Sequence, residues 1–199
     1  MVDPTKALRF NHNGHGVSGC MDYTGADCAF FDGGTRYQWS IPAGTDILAA
    51  AAGTVVQVDG DRPFYCPSTG GIVFDQIFIA IAHTTVDGDG VSQTFATVYK
   101  HLSSILPFNL GDPIYKGQII GQSGKSGCST DENLQFSVRA ALAEDPEGES
   151  MDFGDRFRMR VDPFGWSGSA EVPDDPYTLA IDRTLNQFLW LTAQAPPLP

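Results

Sequence analysis

From residue 41 to residue 139 the chain runs in short apolar stretches separated by glycine-rich turns, a rhythm that predicts strands rather than helices. The clearest stretch is Asn133-Leu134-Gln135-Phe136-Ser137-Val138-Arg139, which alternates with period two. Strand side chains alternate between faces, so Asn133, Gln135 and Ser137 are expected on one face and Leu134, Phe136 and Val138 on the other. The apolar face packs. The polar face carries two amides, an unusual choice for chemistry.

The remaining pattern extends this reading. Tyr23 to Phe30 forms a turn feeding a short strand that ends at Asp32-Gly33-Gly34. Residues 41–58 contain an alanine run, but Pro42-Ala43-Gly44 before it, Gly53 within it and the β-branched residues after it predict two short strands with a bend or bulge at Gly53. Residues 72–82 are the longest apolar strand, with His83 at its end, and form a hairpin with residues 93–101. Residues 109–121 add another strand pair with glycine turns. Beyond Arg139, a helical turn is expected at residues 140–143 and a short strand at residues 156–161, before a proline-punctuated tail. The fold class is all-β: an irregular lead-in over 1–22, a core over 23–140 and an extension over 141–199 packed on that core.

Composition agrees and narrows the partners. With 199 residues, 42% hydrophobic and 18% charged, the chain is long enough for one packed domain, and 22 glycines with 13 prolines suit short strands joined by turns. The formal net charge of -12 disfavours nucleic acid and anionic membrane surfaces. No apolar run approaches the ~20 residues of a spanning helix. Cys20, Cys28, Cys66 and Cys128 occur singly, which favours disulfides over a zinc knuckle. Three connectivities are open, as are free buried thiols; the pairing expected is Cys20 with Cys28 and Cys66 with Cys128. Met1-Val2-Asp3-Pro4 is not a signal peptide and reads as the start of a cloned fragment or of a mature domain from which an exporting signal has been removed.

Candidate chemistry is sparse. His12 and His15 lie three apart in a Gly/Asn loop with no third ligand nearby, so a surface loop is the better reading. His83 reads as structural. The order of the segments nevertheless resembles the lysostaphin-like (LytM-type) zinc metallopeptidases, which cut peptide bridges in bacterial peptidoglycan. Tyr23-x-Gly25-x-Asp27 is similar to the family's His-x-Gly-x-Asp, and Pro42-Ala43-Gly44-Thr45 through Gly53-Thr54-Val55-Val56 to its Gly-Thr-Pro-Val-x-Ala-x-x-x-Gly-x-Val. Tyr99-Lys100-His101-Leu102 resembles Tyr-x-His-Leu, and Gly111-Asp112 through Gly117-Gln118-Ile119-Ile120-Gly121 resembles Gly-Asp-x-Val-x-x-Gly-Gln-x-Ile-Gly. Gly124 to Arg139 resembles the segment that ends in His-Leu-His-Phe-Glu-Val-Arg. The resemblance implies an antiparallel sheet core of the duplicated hybrid motif type with a loop-roofed groove.

It also implies a zinc site, and here the sequence departs. The family binds zinc through the first His, the Asp and the second His of His-x-His, while the His of Tyr-x-His-Leu and the first His of His-x-His assist catalysis. Carried over, these positions are Tyr23, Asp27, Gln135, His101 and Asn133, of which only Asp27 and His101 keep the family's residue. Catalytic zinc needs three protein ligands and an open position for water. A phenol and an amide are poor replacements for two imidazoles, and their loss is expected to cost at least ~100-fold in affinity or activity. Asn133 has no proton that titrates near neutral pH.

Two readings follow. In the first, the domain binds peptidoglycan peptide or an envelope protein through a groove lined by Tyr23, Asp27, His101, Asn133 and Gln135, uses no cofactor, and holds Tyr23 and Gln135 in a hydrogen bond across the vacated site. In the second, it is a divergent zinc endopeptidase with a site rebuilt on His15 and Asp27. Both place it outside the cell or in the envelope.

Overall fold

The computed structural model describes residues 36–60, 64–66, 70–73, 76–86, 90, 92–141 and 159–161. The chain divides into two compact units, Met1–Tyr37 with Arg160–Pro199, and Gln38–Met159. Nearly all described residues belong to the second. Its strands are β2 (Asp46–Leu48), β3 (Gly53–Asp59), β4 (Phe64–Cys66), β5 (Gly71–Val73), β6 (Phe78–Val86), β7 (Ser92–Lys100), β8 (Leu102–Ile105), β9 (Pro113–Ile114), β10 (Ile119–Ser123) and β11 (Leu134–Ala140). Two short strands, β1 (Arg36–Trp39) and β12 (Met159–Val161), straddle the unit boundaries. No helix occurs among the described residues.

The large sheet runs β11-β7-β6-β3-β9, and every neighbouring pair is antiparallel. A smaller antiparallel sheet runs β2-β10-β8, and β4 with β5 forms a ribbon. β6 and β7 are central and covered on both faces, so Ile79, Ala80 and Ile81 are buried consecutively rather than alternately. The core is completed by Val55, Val98, Tyr99, Leu102, Ile114 and Ile120. Phe136 meets the edge of Tyr99 at 5.3 Å between ring centroids, and Trp39 lies 6.2 Å from Phe136 on another side. Burying such rings contributes about 1.5–3 kcal/mol each. Phe136 and Val138 are packed as the alternation predicts, but Ser137 on the opposite face is buried too and Leu134 is only half-buried, so β11 is covered on both faces along its middle.

Several boundaries differ from the sequence reading. The apolar run at residues 72–82 is two strands, because Ile77 between them turns its backbone elsewhere: its N–H donates to Ser126 Oγ at 3.0 Å and its carbonyl accepts from Leu102 N at 3.2 Å. His83 lies inside β6, which continues to Val86, and does not end it. Residues 109–121 give two strands that do not pair with each other: β9 joins β3, and β10 joins β2 and β8. Ala140 closes β11 instead of opening a helical turn.

Gly53 does begin β3 after a link from β2, but the register irregularity falls between Val55 and Gln57. What requires a glycine at position 53 is close approach. A Cβ there would stand 2.6 Å from His83 Nδ1 and press on the Ala82 carbonyl. Cys66 and Cys128 are bonded, with Cα atoms 5.5 Å apart, within the ordinary range for a disulfide. Cys20 and Cys28 lie outside the described residues.

Candidate functional site

His101 occupies the junction between the two sheets. β7 ends at Lys100 in the large sheet and β8 begins at Leu102 in the small one, so the chain must change direction at a single residue. It does so with φ 63°, the one positive value at a non-glycine position among the described residues. A side chain in this left-handed region costs about 1–2 kcal/mol, which the surroundings must offset.

The side chain is 5% exposed and engaged at both nitrogens. Nδ1 lies 2.8 Å from the Ser126 carbonyl, and Nε2 lies 3.1 Å from the amide of Gln135. A carbonyl only accepts, so Nδ1 carries the hydrogen. The amide atom placed against Nε2 is Gln135 Oε1; amide oxygen and nitrogen are assigned from their partners, and exchanging the two lets the NH2 donate to Nε2 of the Nδ1–H tautomer. β11 places Gln135 there: its register partner is Lys100, the residue before His101.

Asn133 precedes β11 and is 1% exposed. Its backbone N–H donates to the Gly124 carbonyl at 2.9 Å, and its side-chain NH2 donates to Ser129 Oγ and to the Asp131 carbonyl, at 2.5 and 2.7 Å. The amide is thereby turned into its own loop. Its Oδ1 is buried with no partner, a state that costs about 1–3 kcal/mol. The loop is held in turn by Glu132, whose carboxylate accepts from Ala43 N at 2.9 Å, and by Ser123 Oγ, which donates to the Pro42 carbonyl at 2.6 Å.

Thus the structure joins His101 to Gln135 and sets Asn133 in the adjoining loop. Tyr23, Asp27 and His15 lie outside the described residues, and so does the expected bond between Tyr23 and Gln135; the partner found for Gln135 is His101. Sequence reasoning did not single out Ser126, Ser129 or the Asp131 carbonyl. Their only signal was the glycine-rich turn before β11, whose hydrogen bonds depend on backbone direction.

His83 is structural, as read. Nδ1 donates to the Ala52 carbonyl and Nε2 accepts from Thr97 Oγ1, both at 2.7 Å, and burial lowers its pKa although the Ala52 bond opposes this. Burial raises the pKa of Tyr99, whose hydroxyl oxygen accepts from Ala50 N at 2.8 Å. Among the described residues, no three His, Cys, Asp or Glu side chains converge to hold a metal ion. Gln135 in β11 and Asn133 just before it supply amides where a catalytic zinc needs imidazoles: the Gln135 amide meets His101, the Asn133 NH2 is turned into its own loop, and a lone amide oxygen, Asn133 Oδ1, is left, so this part of the site does not fit a catalytic zinc.

The model of peptidase family M23 matches residues 34–152. Among solved structures, a mutant of the catalytic domain of a prophage-encoded M23 protein from Enterococcus faecalis is 24% identical over 67% of this chain and 78% of that one, with a TM-score of 0.42. The catalytic domain of the antimicrobial peptidase lysostaphin from Staphylococcus simulans is 25% identical over 64% and 73%, with a TM-score of 0.39. A zinc-containing peptidase from Vibrio cholerae is 25% identical over 52% and 26%, with a TM-score of 0.39. No curated protein matches the chain. The matched range begins after Tyr23 and Asp27.

Proposed function

We propose, from the premise that the chain belongs to peptidase family M23, that it is a member which binds peptidoglycan peptide or an amine-bearing envelope protein without cleaving it. One observation carries this reading. Gln135, at the position where the family resemblance calls for the second histidine of His-x-His, is an amide bonded to His101 Nε2 at 3.1 Å. An amide so placed supplies neither the imidazole donor of a zinc site nor a proton that titrates near neutral pH. The Asn133 NH2 is committed likewise, to Ser129 and Asp131, and its remaining atom is an amide oxygen rather than an imidazole nitrogen. Whether Tyr23 or His15 stands beside Asp27, an amide at position 135 leaves the ligand set incomplete.

The net charge of -12 supports partners that carry amines over anionic polymers. The family's action on peptidoglycan supports a place outside the cell or in the envelope. No helix among the described residues is long and apolar enough to cross a membrane.

The test is co-sedimentation with purified peptidoglycan sacculi, followed by analysis of the supernatant for released fragments. Co-sedimentation without release supports the reading. Release that depends on zinc supports the second reading, a divergent endopeptidase built on His15 and Asp27, which the retention of a buried, conformationally strained His101 favours. Failure to sediment refutes peptidoglycan as the ligand.

A further inference from the structure

We propose that the Cys66–Cys128 disulfide is a latch on the site, and that a dithiol reductant opens the loop around His101 and Asn133 while leaving the large sheet intact. The bond ties the β4–β5 ribbon to the turn before β11, across a sequence separation of 62 residues. That turn supplies the contacts that define the site. Ser126, two residues before Cys128, accepts from His101 Nδ1 through its carbonyl and from Ile77 N through its hydroxyl. Ser129, the residue after Cys128, accepts from Asn133. Gly127, at φ 70°, lies so close to Gln76 that an added Cβ would stand 3.0 Å from that side chain.

The sheet core has no comparable dependence. β6 and β7 pair over nine residues, Ile79, Ile81 and Val98 are buried in that pair, and neither strand carries a cysteine of the disulfide. Loosening is therefore expected to stop at the turn and the ribbon, because stability is distributed in local cooperative units.

Cys66 is 0% exposed whereas Cys128 is half-buried, so the Cys128 end of the bond is the more open to an incoming thiolate. Attack forms a mixed disulfide and expels the Cys66 thiolate, which takes a proton. The second thiol of the reductant then closes on the mixed disulfide and releases Cys128. The protein disulfide gains two electrons and two protons, and the dithiol becomes a disulfide.

The test is amide hydrogen exchange on the oxidised chain and on a Cys66→Ser/Cys128→Ser variant. A Cys20→Ser/Cys28→Ser chain titrated with dithiothreitol serves if that variant does not fold. The latch predicts that the amides of Ile77 and Asn133 lose about tenfold or more in protection while those of Ile79 and Ile81 change less than about twofold. It also predicts that the His101 ring leaves its single Nδ1–H tautomer, read from its nitrogen shifts. A uniform loss of protection across both groups, or no loss at Ile77 and Asn133, overturns the proposal. These readouts are independent of ligand, so they stand apart from the peptidoglycan test.

Discussion

Replacing His101 by alanine and, separately, by glycine resolves what holds this residue in place. The imidazole makes hydrogen bonds to Ser126 and Gln135, each worth about 1 kcal/mol net, and the substitution leaves the Ser126 carbonyl without that donor. Alanine keeps the strain of φ 63° and loses these contacts, so His101→Ala is expected to cost about 2–4 kcal/mol. Glycine loses the same contacts but relieves about 1–2 kcal/mol of strain, against a chain-entropy penalty of about 0.5–1 kcal/mol. The glycine variant is therefore expected to be the more stable, by up to about 1.5 kcal/mol, the reverse of the order on an ordinary strand. Ser104, exposed on β8, supplies the control pair, in which alanine is expected to exceed glycine. Urea unfolding of the four variants gives the comparison. An alanine variant at position 101 that equals or exceeds the glycine variant refutes the claim that strain is stored there.

Two further outcomes are expected. Burial lowers the pKa of His83 below its ordinary 6.5, so the unfolded chain takes up a proton that the folded chain declines. Stability is then full above about pH 6.5 and falls as pH drops toward the lowered folded value, by at most about 1.4 kcal/mol per pH unit; unfolding midpoints that are the same with His83→Gln at every pH contradict this. Gly53→Ala is expected to cost about 1–3 kcal/mol, because its Cβ would displace the Ala82 carbonyl and the His83 ring. An unchanged thermal midpoint refutes that contact.

The alternation of residues 133–139 was enough to place a strand and to bury Phe136 and Val138, but not to show that the polar positions Asn133 and Ser137 are buried as well. The strand break at Ile77 was not legible, since it depends on a serine 49 residues later capturing a backbone N–H. For the same reason, the family resemblance puts amides at positions 133 and 135 where it calls for imidazoles, but it did not show where those amides point. Gln135 has its partner across the sheet in His101, and Asn133 has its own within the preceding loop. The left-handed backbone of His101 was hidden as well, because the run from Phe95 to Leu102 reads as one strand although its two ends belong to different sheets.

The central claim is that this site no longer assembles a zinc centre. The most direct measurement is the metal content of the full chain after equilibration with zinc and desalting, in parallel with an Asp27→Ala variant. The account predicts zinc far below one ion per chain, and the same low content in both proteins. Stoichiometric zinc in the parent chain that is lost in the variant would contradict it.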